Sequence, residues 1–330
     1  MGNHSLTLAC GPYDHMEALS RGIVQASGLD IIYLGIQSPP EIFARMIKTD
    51  AFDISEMSLS MYFTLRAKGS FPFIAIPVFP ARVFRHAYIY VNRDFGIHAP
   101  KDLEGKRIGV QQYRQTAATW VRGLLRQEYD VDLSTCTWVE GGVNGARPPD
   151  KDMDLRPDHK IDIVSAPHGR SINDMLISGE VDAYFGARTP NAFNTHEQIQ
   201  RLFSDYRNVE RAYYQKTGIY PIMHTLVIRE ELHHEKPWIA ENIAKACEES
   251  KQWALSHMRF TGTMRYMVPW LNHEVEEIDA LFGGDPYPYG VETNRKTLET
   301  LMQYLVDQGF VSAPAPKVDD MFVPMVVWAE

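Results

Sequence analysis

Two arginines and a histidine stand together directly ahead of an apolar stretch of the chain. They are Arg82, Arg85 and His86 in FPARVFRHAYIYVN (79–92), whose second half has the aromatic and branched side chains typical of a buried strand. A guanidinium group binds a carboxylate through two parallel hydrogen bonds and keeps its charge at any working pH. A surface ion pair is the alternative role for each arginine. We predict that this cluster binds a small anion.

Three histidines are candidates for proton transfer or binding, because imidazole titrates near neutral pH. His86 follows the two arginines, His15 lies beside Asp14 in a predicted strand-to-helix turn, and His224 lies in the strand-like stretch IYPIMHTLVIR. A histidine in an apolar strand is more often a hydrogen-bonded core residue. We therefore predict His86 and His15 as the catalytic acid/base residues and place His224 among the substrate-binding residues.

Other polar residues follow predicted strands or begin predicted helices. Arg114 and Arg188 come after strands of the second lobe, where ligands of α/β sheets usually bind. Ser58 and Ser60 begin a helix, where hydroxyl groups bind anions or simply cap the helix. Glu56 is either a buried carboxylate at a strand end or a charge at a helix start. The predicted substrate-binding residues are Arg82, Arg85, Arg114, Arg188, His224, Ser58, Ser60, Gln111 and Tyr113.

Strands and helices alternate along the chain, which predicts an α/β fold with mainly parallel sheets covered by helices. The stretches SLTLACG, LDIIYLG and KRIGV are typical of strands, and a helix is predicted over 13–27, ending near Gly28. A chain of 330 residues is long enough for about two domains. Because the pattern restarts near residue 100, we predict one lobe from 1–92 and 220–330, with C-terminal helices, and a second lobe from 93–219.

The segment 141–171 is rich in Gly, Pro and Asp. This composition predicts a loop, and a lid over the site is one hypothesis for it, because long loops in compact domains are often functional.

Composition narrows the classes of partner. The formal net charge of −9 argues against nucleic acid or an anionic membrane surface as a partner. Cys10, Cys136 and Cys247 are scattered without CxxC spacing, so the sequence predicts neither a disulfide framework nor a thiolate zinc site. The first residues lack the charged and apolar regions of a secretory signal, and no apolar run is long enough to span a membrane. The expected location is the cytoplasm.

No strong metal-binding motif stands in the sequence. His and Glu are adjacent at His196, His234 and His273, but none of these pairs forms HExxH. We predict no organic cofactor, while a divalent metal on distributed ligands remains an open alternative.

Several longer stretches resemble known families. PKDLEGKRIGV and ISGEVDAYFGAR resemble the second lobe of type 2 periplasmic-binding-protein folds, in which two α/β lobes joined by two crossing strands close over a ligand. SEMSLSMYFTLRAKG, FPARVFRHAYIYVN and IYPIMHTLVIREEL resemble the 4,5-dihydroxyphthalate decarboxylase family, and the likeness runs through nearly the whole chain. The resemblance implies a two-lobed fold with the ligand between the lobes, and a cytoplasmic homo-oligomer.

The activity that this resemblance implies is decarboxylation of 4,5-dihydroxyphthalate, a small aromatic dicarboxylate, to protocatechuate and carbon dioxide, without an organic cofactor. The arginines and histidines above suit a dianionic substrate whose ring carbon must receive a proton. Alternatives are a solute-binding protein of the same fold, another lyase acting on a small aromatic acid, and a biosynthetic enzyme.

Overall fold

The computed structural model describes residues 3–69, 71–147, 155–158 and 160–325, and every structural statement below concerns these residues. The strands in chain order are β1 (His4–Cys10), β2 (Leu29–Gly35), β3 (Ile54–Ser58), β4 (Phe73–Arg82), β5 (Ile89–Asn92), β6 (Arg107–Val110), β7 (Thr137–Glu140), β8 (Ile163–Ser165), β9 (Ala183–Phe185), β10 (Ile199–Arg201) and β11 (Ile222–Arg229). The α-helices are α1 (Glu17–Ser20), α2 (Pro39–Thr49), α3 (Leu59–Ala67), α4 (Thr116–Tyr129), α5 (Ile172–Ser178), α6 (Tyr206–Thr217), α7 (Glu230–Glu235), α8 (Trp238–Arg259), α9 (Leu271–Phe282) and α10 (Val291–Asp307).

The chain forms two compact units, of which the first comprises 1–82, 222–298 and 316–330. Its sheet has five strands in the order β2-β1-β3-β11-β4. The first three run parallel, and β11 pairs antiparallel with both β3 and β4. The strands β3 and β4 are buried along their whole length, and for β4 this explains its near-continuous apolar run. In contrast, β3 (ISEMS) also buries polar side chains. The one carboxylate within these two buried strands is Glu56.

The second unit comprises 83–221 and 299–315. Its sheet has six strands in the order β10-β5-β9-β6-β7-β8, with β9, β6, β7 and β8 parallel and β5 and β10 antiparallel to their neighbours. The rings of Trp120 and Trp138 are buried in its core. A Cβ atom on Gly123 would overlap the ring of Tyr304, so α4 and α10 approach closely there because that position is glycine.

The described division differs from the predicted lobes in three segments, of which the shortest is 220–221, predicted in the first lobe and found in the second unit. Residues 83–92 belong to the second unit because β5 pairs with β9 and β10. Residues 299–315 also belong to it, since the second half of α10 packs Tyr304 against Trp120 of α4. The α/β class itself is as predicted.

Two local predictions differ from the structure. The helix expected over 13–27 is only a 3₁₀ turn at Asp14–Met16 followed by α1, which ends at Ser20. The chain turns away at Gly22, whose φ of 69° lies in the left-handed region that favours glycine. The segment 141–171, predicted as a loop, contains β8, which pairs with β7. Residues 148–154 and 159 of that segment lie outside the described residues, so the lid hypothesis stays a prediction.

Candidate active site

The buried carboxylate of Glu56 is the centre of a polar cluster in the first unit. Its Oε1 accepts hydrogen bonds from the Tyr13 hydroxyl at 2.6 Å and from His224 Nδ1 at 2.5 Å. Its Oε2 accepts from the Gly11 amide at 2.8 Å and from the Cys10 thiol at 3.5 Å. A carboxylate without any exposed surface is thus held by four donors, as a buried charge must be.

Strand register brings these groups together. Parallel pairing of Ala9 with Ser55 places the end of β1 beside Glu56. On the other side of β3, Leu226 lies opposite Glu56 and His224 lies opposite Ser58. Because residues two apart on a strand share a face, His224 reaches the same face of the sheet as Glu56. The cluster therefore lies where β1 and β3 end.

The contacts of Glu56 fix its charge and the direction of its hydrogen bonds. Burial by itself would raise the pKa of Glu56, but the charge of His224 and the hydrogen bonds from His224, Tyr13 and the Gly11 amide outweigh burial and hold this pKa below its ordinary value. An ionised carboxylate only accepts hydrogen bonds, so Nδ1 of His224 must carry the proton. When the imidazole of His224 is neutral, Nε2 is the nitrogen that can accept a proton from a substrate.

His15 lies next to this cluster in the turn after β1. Its ring stacks on Tyr13 and lies near the ring of Tyr287, with centroid distances of 5.2 Å in both cases. Its Nδ1 is 3.2 Å from Asp14 Oδ1. The hydrogen bond from His15 lowers the pKa of Asp14 to about 2 despite partial burial, so the carboxylate is ionised and Nδ1 of His15 donates to it. Nε2 of His15 is buried and has no hydrogen-bond partner among the described residues.

A tyrosine from the segment between α8 and α9 holds the second oxygen of Asp14. The hydroxyl of Tyr266 donates to Asp14 Oδ2 at 2.9 Å, and the neighbouring Arg265 pairs with Glu17. Asp14 is therefore bound on both oxygens, which restricts the orientation of the His15 ring.

Arg82 is buried at the end of β4, where its guanidinium contacts its own unit. Nη2 donates to the carbonyl oxygen of Pro288 at 2.6 Å and to the side-chain oxygen of Asn294. The Tyr287 hydroxyl donates to the carbonyl oxygen of Arg82 at 3.2 Å. This arginine thus links β4 to the segment that carries Tyr287, the neighbour of His15.

Ser58 and Ser60 lie where β3 passes into α3. Ser58 is the N-cap residue of α3, and both serines are buried. The Ser60 carbonyl accepts from the Thr64 hydroxyl at 2.8 Å, as in a regular helix. Ser58 lies opposite His224 in the sheet, so the first turn of α3 is near the Glu56 cluster.

Arg85 and His86 lie in the second unit. Burial lowers the pKa of Arg85 to about 10, and its guanidinium lies 5.1 Å from the centroid of the Tyr88 ring. The His86 ring lies 5.3 Å from the rings of both Phe203 and Tyr213. Neither of its ring nitrogens has a hydrogen-bond partner within the described parts of the chain, and burial lowers the pKa of His86 to about 4. The imidazole is therefore neutral at neutral pH and, unlike His15 and His224, has no orienting carboxylate among the residues that the structure describes.

The other predicted residues of the second unit differ in exposure. Tyr113 is buried, with its ring 3.7 Å from the Arg122 guanidinium and 5.1 Å from the Trp138 ring. Gln111 and Arg114 are half-buried after β6, and Arg188 is exposed after β9. The ring of Tyr113 is thus part of the core of this unit, whereas Gln111 and Arg114 keep part of their surface exposed and Arg188 is accessible.

The structure brings His15, His224 and Ser58 together and adds Glu56, Tyr13 and Tyr287. Sequence reasoning gave Glu56 two alternative roles, and the structure shows the buried one. Tyr13 and Tyr287 were not predicted. The sequence feature that could have indicated Tyr13 is its position in ACGPYDH, between the glycine after the first strand and His15. Within the described ranges, no group of three or more His, Cys, Asp or Glu side chains is placed to hold a metal ion, and no helix is both long and apolar enough to span a bilayer.

No family model matches the chain. Over 303 residues the chain is 38% identical to the 4,5-dihydroxyphthalate decarboxylase of Comamonas testosteroni, covering 92% of this chain and 91% of the relative. The chain belongs to the 4,5-dihydroxyphthalate decarboxylase family. A second member of the family, from Pseudomonas putida, is 38% identical over 216 residues, covering 65% of this chain and 83% of the relative. Both relatives are decarboxylases, which are carboxy-lyases.

The fold is that of the periplasmic solute-binding proteins. The periplasmic aliphatic sulphonate binding protein SsuA of Escherichia coli matches with a TM-score of 0.55 over 98% of both chains, at 10% identity. At this identity the likeness concerns the fold alone. The structural likeness confirms the fold class that is predicted from the sequence of this chain.

Proposed function

We propose that the protein is a carboxy-lyase that converts 4,5-dihydroxyphthalate, or a closely related aromatic acid, to protocatechuate and carbon dioxide. The observation that carries the proposal is the 38% identity to a 4,5-dihydroxyphthalate decarboxylase over 92% of the chain. The cluster around Glu56 supports it, because two carboxylate-bound histidines supply a base and an acid.

The reaction needs one base and one acid. A ring hydroxyl lies para to the carbon that bears the departing carboxylate, so removal of the hydroxyl proton pushes electron density onto that carbon. The carbon accepts a proton from the acid, and the bond to the carboxylate then breaks. The electron pair of that bond restores the aromatic ring, carbon dioxide leaves, and the ring oxygen recovers its proton from the base. One proton is consumed in each turnover.

In this proposal His224 is the base and His15 is the acid. Glu56 holds Nδ1 of His224, which leaves Nε2 to accept the hydroxyl proton. Asp14 holds Nδ1 of His15, and the buried Nε2 of His15 donates to the ring carbon when it carries a proton. The raised pKa of Tyr13, caused by burial and then by the charge of Glu56, keeps its hydroxyl protonated as a hydrogen-bond donor. The sequence-based assignment of His86 as a catalytic residue stays a prediction.

Binding of the substrate carboxylates involves donors of several kinds. Ser58 and the first amides of α3 supply neutral donors close to His224. Among the arginines, Arg82 binds neighbouring groups of its own unit and so holds the segment of Tyr287 in place, while its predicted contact with substrate stays a prediction. The remaining predicted ligands are Ser60, Arg85, Arg114, Arg188, Gln111 and Tyr113, and their contact with substrate stays a prediction.

The decisive experiment is incubation of the purified protein with 4,5-dihydroxyphthalate while carbon dioxide and protocatechuate are measured. Equal release of both products would support the proposed function. Parallel reactions with a chelator and with added divalent metal decide the metal question, since loss of turnover on chelation would require a metal in the mechanism. Stabilisation by the compound without turnover would instead support a solute-binding protein or a lyase for a related acid.

The family resemblance also predicts a cytoplasmic homo-oligomer. Cell fractionation tests the location, and sedimentation of the purified protein tests the assembly. A monomer at micromolar concentration would contradict the second prediction.

A further inference from the structure

A pocket of about 210 Å³ lies in the first unit between α8, α9 and the turn that carries His15. The proposed function leaves this pocket without a role. Its apolar walls are formed by Ala254, Leu255, Met258, Val275, Ile278 and Pro286. A cavity holds one water molecule once about 15 Å³ is open to it, so this pocket is large enough for a linear triatomic molecule.

The inner wall of the pocket is shared with the candidate active site. It is formed by the side chains of Tyr13, His15 and Tyr287, whose rings stack or lie tilted at centroid distances of 5.2 Å. Tyr13 also donates to Glu56, and Asp14 holds His15. A molecule in the pocket therefore contacts His15, the side chain that is proposed to protonate the ring carbon, and the two tyrosine rings beside it.

The charged groups at the pocket are compensated by neighbours. Lys251 Nζ lies 2.5 Å from Asp285 Oδ2 and 2.9 Å from Glu248 Oε2. Arg259 pairs with Asp279 at 2.6 Å, and Asp14 accepts hydrogen bonds on both oxygens. The charged side chains that line the pocket are two cations, Lys251 and Arg259, and three carboxylates, Asp14, Asp279 and Asp285. The carboxylates outnumber the cations, so the pocket disfavours a dianion. A small neutral apolar molecule suits these walls better.

We propose that this pocket receives the carbon dioxide that leaves the substrate. The inference rests on the proposed function, in which the carbon–carbon bond breaks beside His15 and its electron pair stays with the ring. The departing molecule is neutral and apolar, whereas the carboxylate that it replaces is charged. Movement into an apolar pocket separates it from the ring carbon, so recombination no longer competes with completion of the reaction.

Xenon is a probe that tests the pocket without turnover, because it enters dry apolar cavities. Crystals of the wild-type protein under xenon pressure should show density between Ala254 and Val275. The substitution Ala254→Leu fills the pocket from α8, and Val275→Phe fills it from α9. Both should remove the xenon density. Gln252→Leu adds the same side chain to the exposed face of α8 and is the matched control.

Turnover provides the second readout. Filling the pocket should lower kcat by about tenfold, equivalent to about 1.4 kcal/mol, with little change in KM. In the presence of ¹³C-labelled carbon dioxide and protocatechuate, the same variants should also incorporate label into the substrate carboxylate at an altered rate relative to turnover. The control variant should match the wild type in both assays.

Three results would overturn the inference. Xenon absent from the wild-type pocket would remove the binding site, and filled variants with unchanged kcat and exchange would remove its role. Wild-type protein that takes up xenon but never releases carbon dioxide from 4,5-dihydroxyphthalate would refute the proposed function. The pocket would then remain a site for small apolar molecules, and its assignment to carbon dioxide would be wrong. Because two variants fill the pocket from different helices, failure of one to fold leaves the other.

Discussion

Replacement of Glu56 by Gln tests the centre of the proposed mechanism. The carboxylate accepts from four donors, two on each oxygen, whereas an amide offers only one acceptor oxygen. The Gly11 amide is a fixed donor, so the amide oxygen should face it and the NH₂ group should face His224 and Tyr13. His224 must then accept on Nδ1 and carry its proton on Nε2, which is the wrong tautomer for the base.

The expected size of the effect follows from this tautomer change. Replacing the orienting carboxylate of a catalytic triad by an amide lowers kcat by about 10⁴-fold, and we expect a loss of about 10³- to 10⁴-fold for Glu56→Gln. The free energy of unfolding should fall by only roughly 1–3 kcal/mol, since one buried donor loses a good acceptor while the side-chain shape is kept. The stability loss alone would therefore leave the protein folded.

Product formation gives kcat and KM, denaturant unfolding gives the stability, and ¹⁵N shifts of labelled histidine report the tautomer of His224. Glu230→Gln is the matched control, because Glu230 forms a two-point pair with Arg66 at 2.8 and 2.9 Å in the same unit. The control should lose some stability and keep its kcat. If Glu56→Gln turned over at the wild-type rate with His224 still protonated on Nδ1, the assignment of this pair as the base would be refuted.

Three further perturbations test other parts of the site. Tyr266→Phe removes one hydrogen bond from Asp14. We expect a lower kcat, an unchanged KM and a shifted acid limb of the pH–rate profile. An unchanged pH–rate profile would leave Tyr266 with a structural role only. Arg85→Gln should raise KM by roughly 30-fold or more if this buried guanidinium binds a substrate carboxylate, and wild-type kinetics would exclude it as a ligand. His86→Phe tests the pH dependence of stability. Because burial in the folded protein lowers the pKa of His86 from 6.5 to about 4, the wild type should lose stability as the pH falls through that range. Burial raises the pKa of Glu210 to about 7, and this shift increases stability as the pH falls, opposite to the effect of His86. Without His86, the melting temperature of His86→Phe should therefore rise relative to the wild type at acid pH. Melting temperatures of variant and wild type that changed in parallel with pH would contradict this. Turnover of the same variant decides whether the sequence-based catalytic assignment of His86 holds.

The elements that position the site could be predicted from the sequence because their signals are local. The predicted strand LDIIYLG has the same bounds as β2, and β6 and β11 correspond to the stretches KRIGV and IYPIMHTLVIR. The helix predicted over 13–27 had a suitable apolar pattern, but the left-handed turn at Gly22 ends it early. A spacing of apolar residues does not reveal where a glycine will reverse the chain.

The site itself depends on contacts between distant residues, which no local pattern reports. His224 was ranked below His86 because a histidine in an apolar strand is usually part of the core. Its importance comes from Glu56, which lies 168 residues earlier and meets it only through the pairing of β3 with β11. In contrast, His86 stands beside two arginines in the sequence, but in the folded unit aromatic rings surround it. Neighbours in sequence were therefore a poor guide to electrostatic partners here.

The position of β11 also sets the order in which the protein can be assembled during synthesis. This strand lies between β3 and β4, yet it follows β4 by about 140 residues of chain that include most of the second unit. Until the ribosome has released β11, β3 has no partner on one side and β4 has no partner strand in the described sheet, so both are exposed to aggregation. The second unit can acquire most of its sheet earlier, because β5 to β10 are consecutive in the chain. The proposed base, His224, is thus added late, and a chain interrupted before residue 222 would lack both His224 and the strand that completes the first sheet.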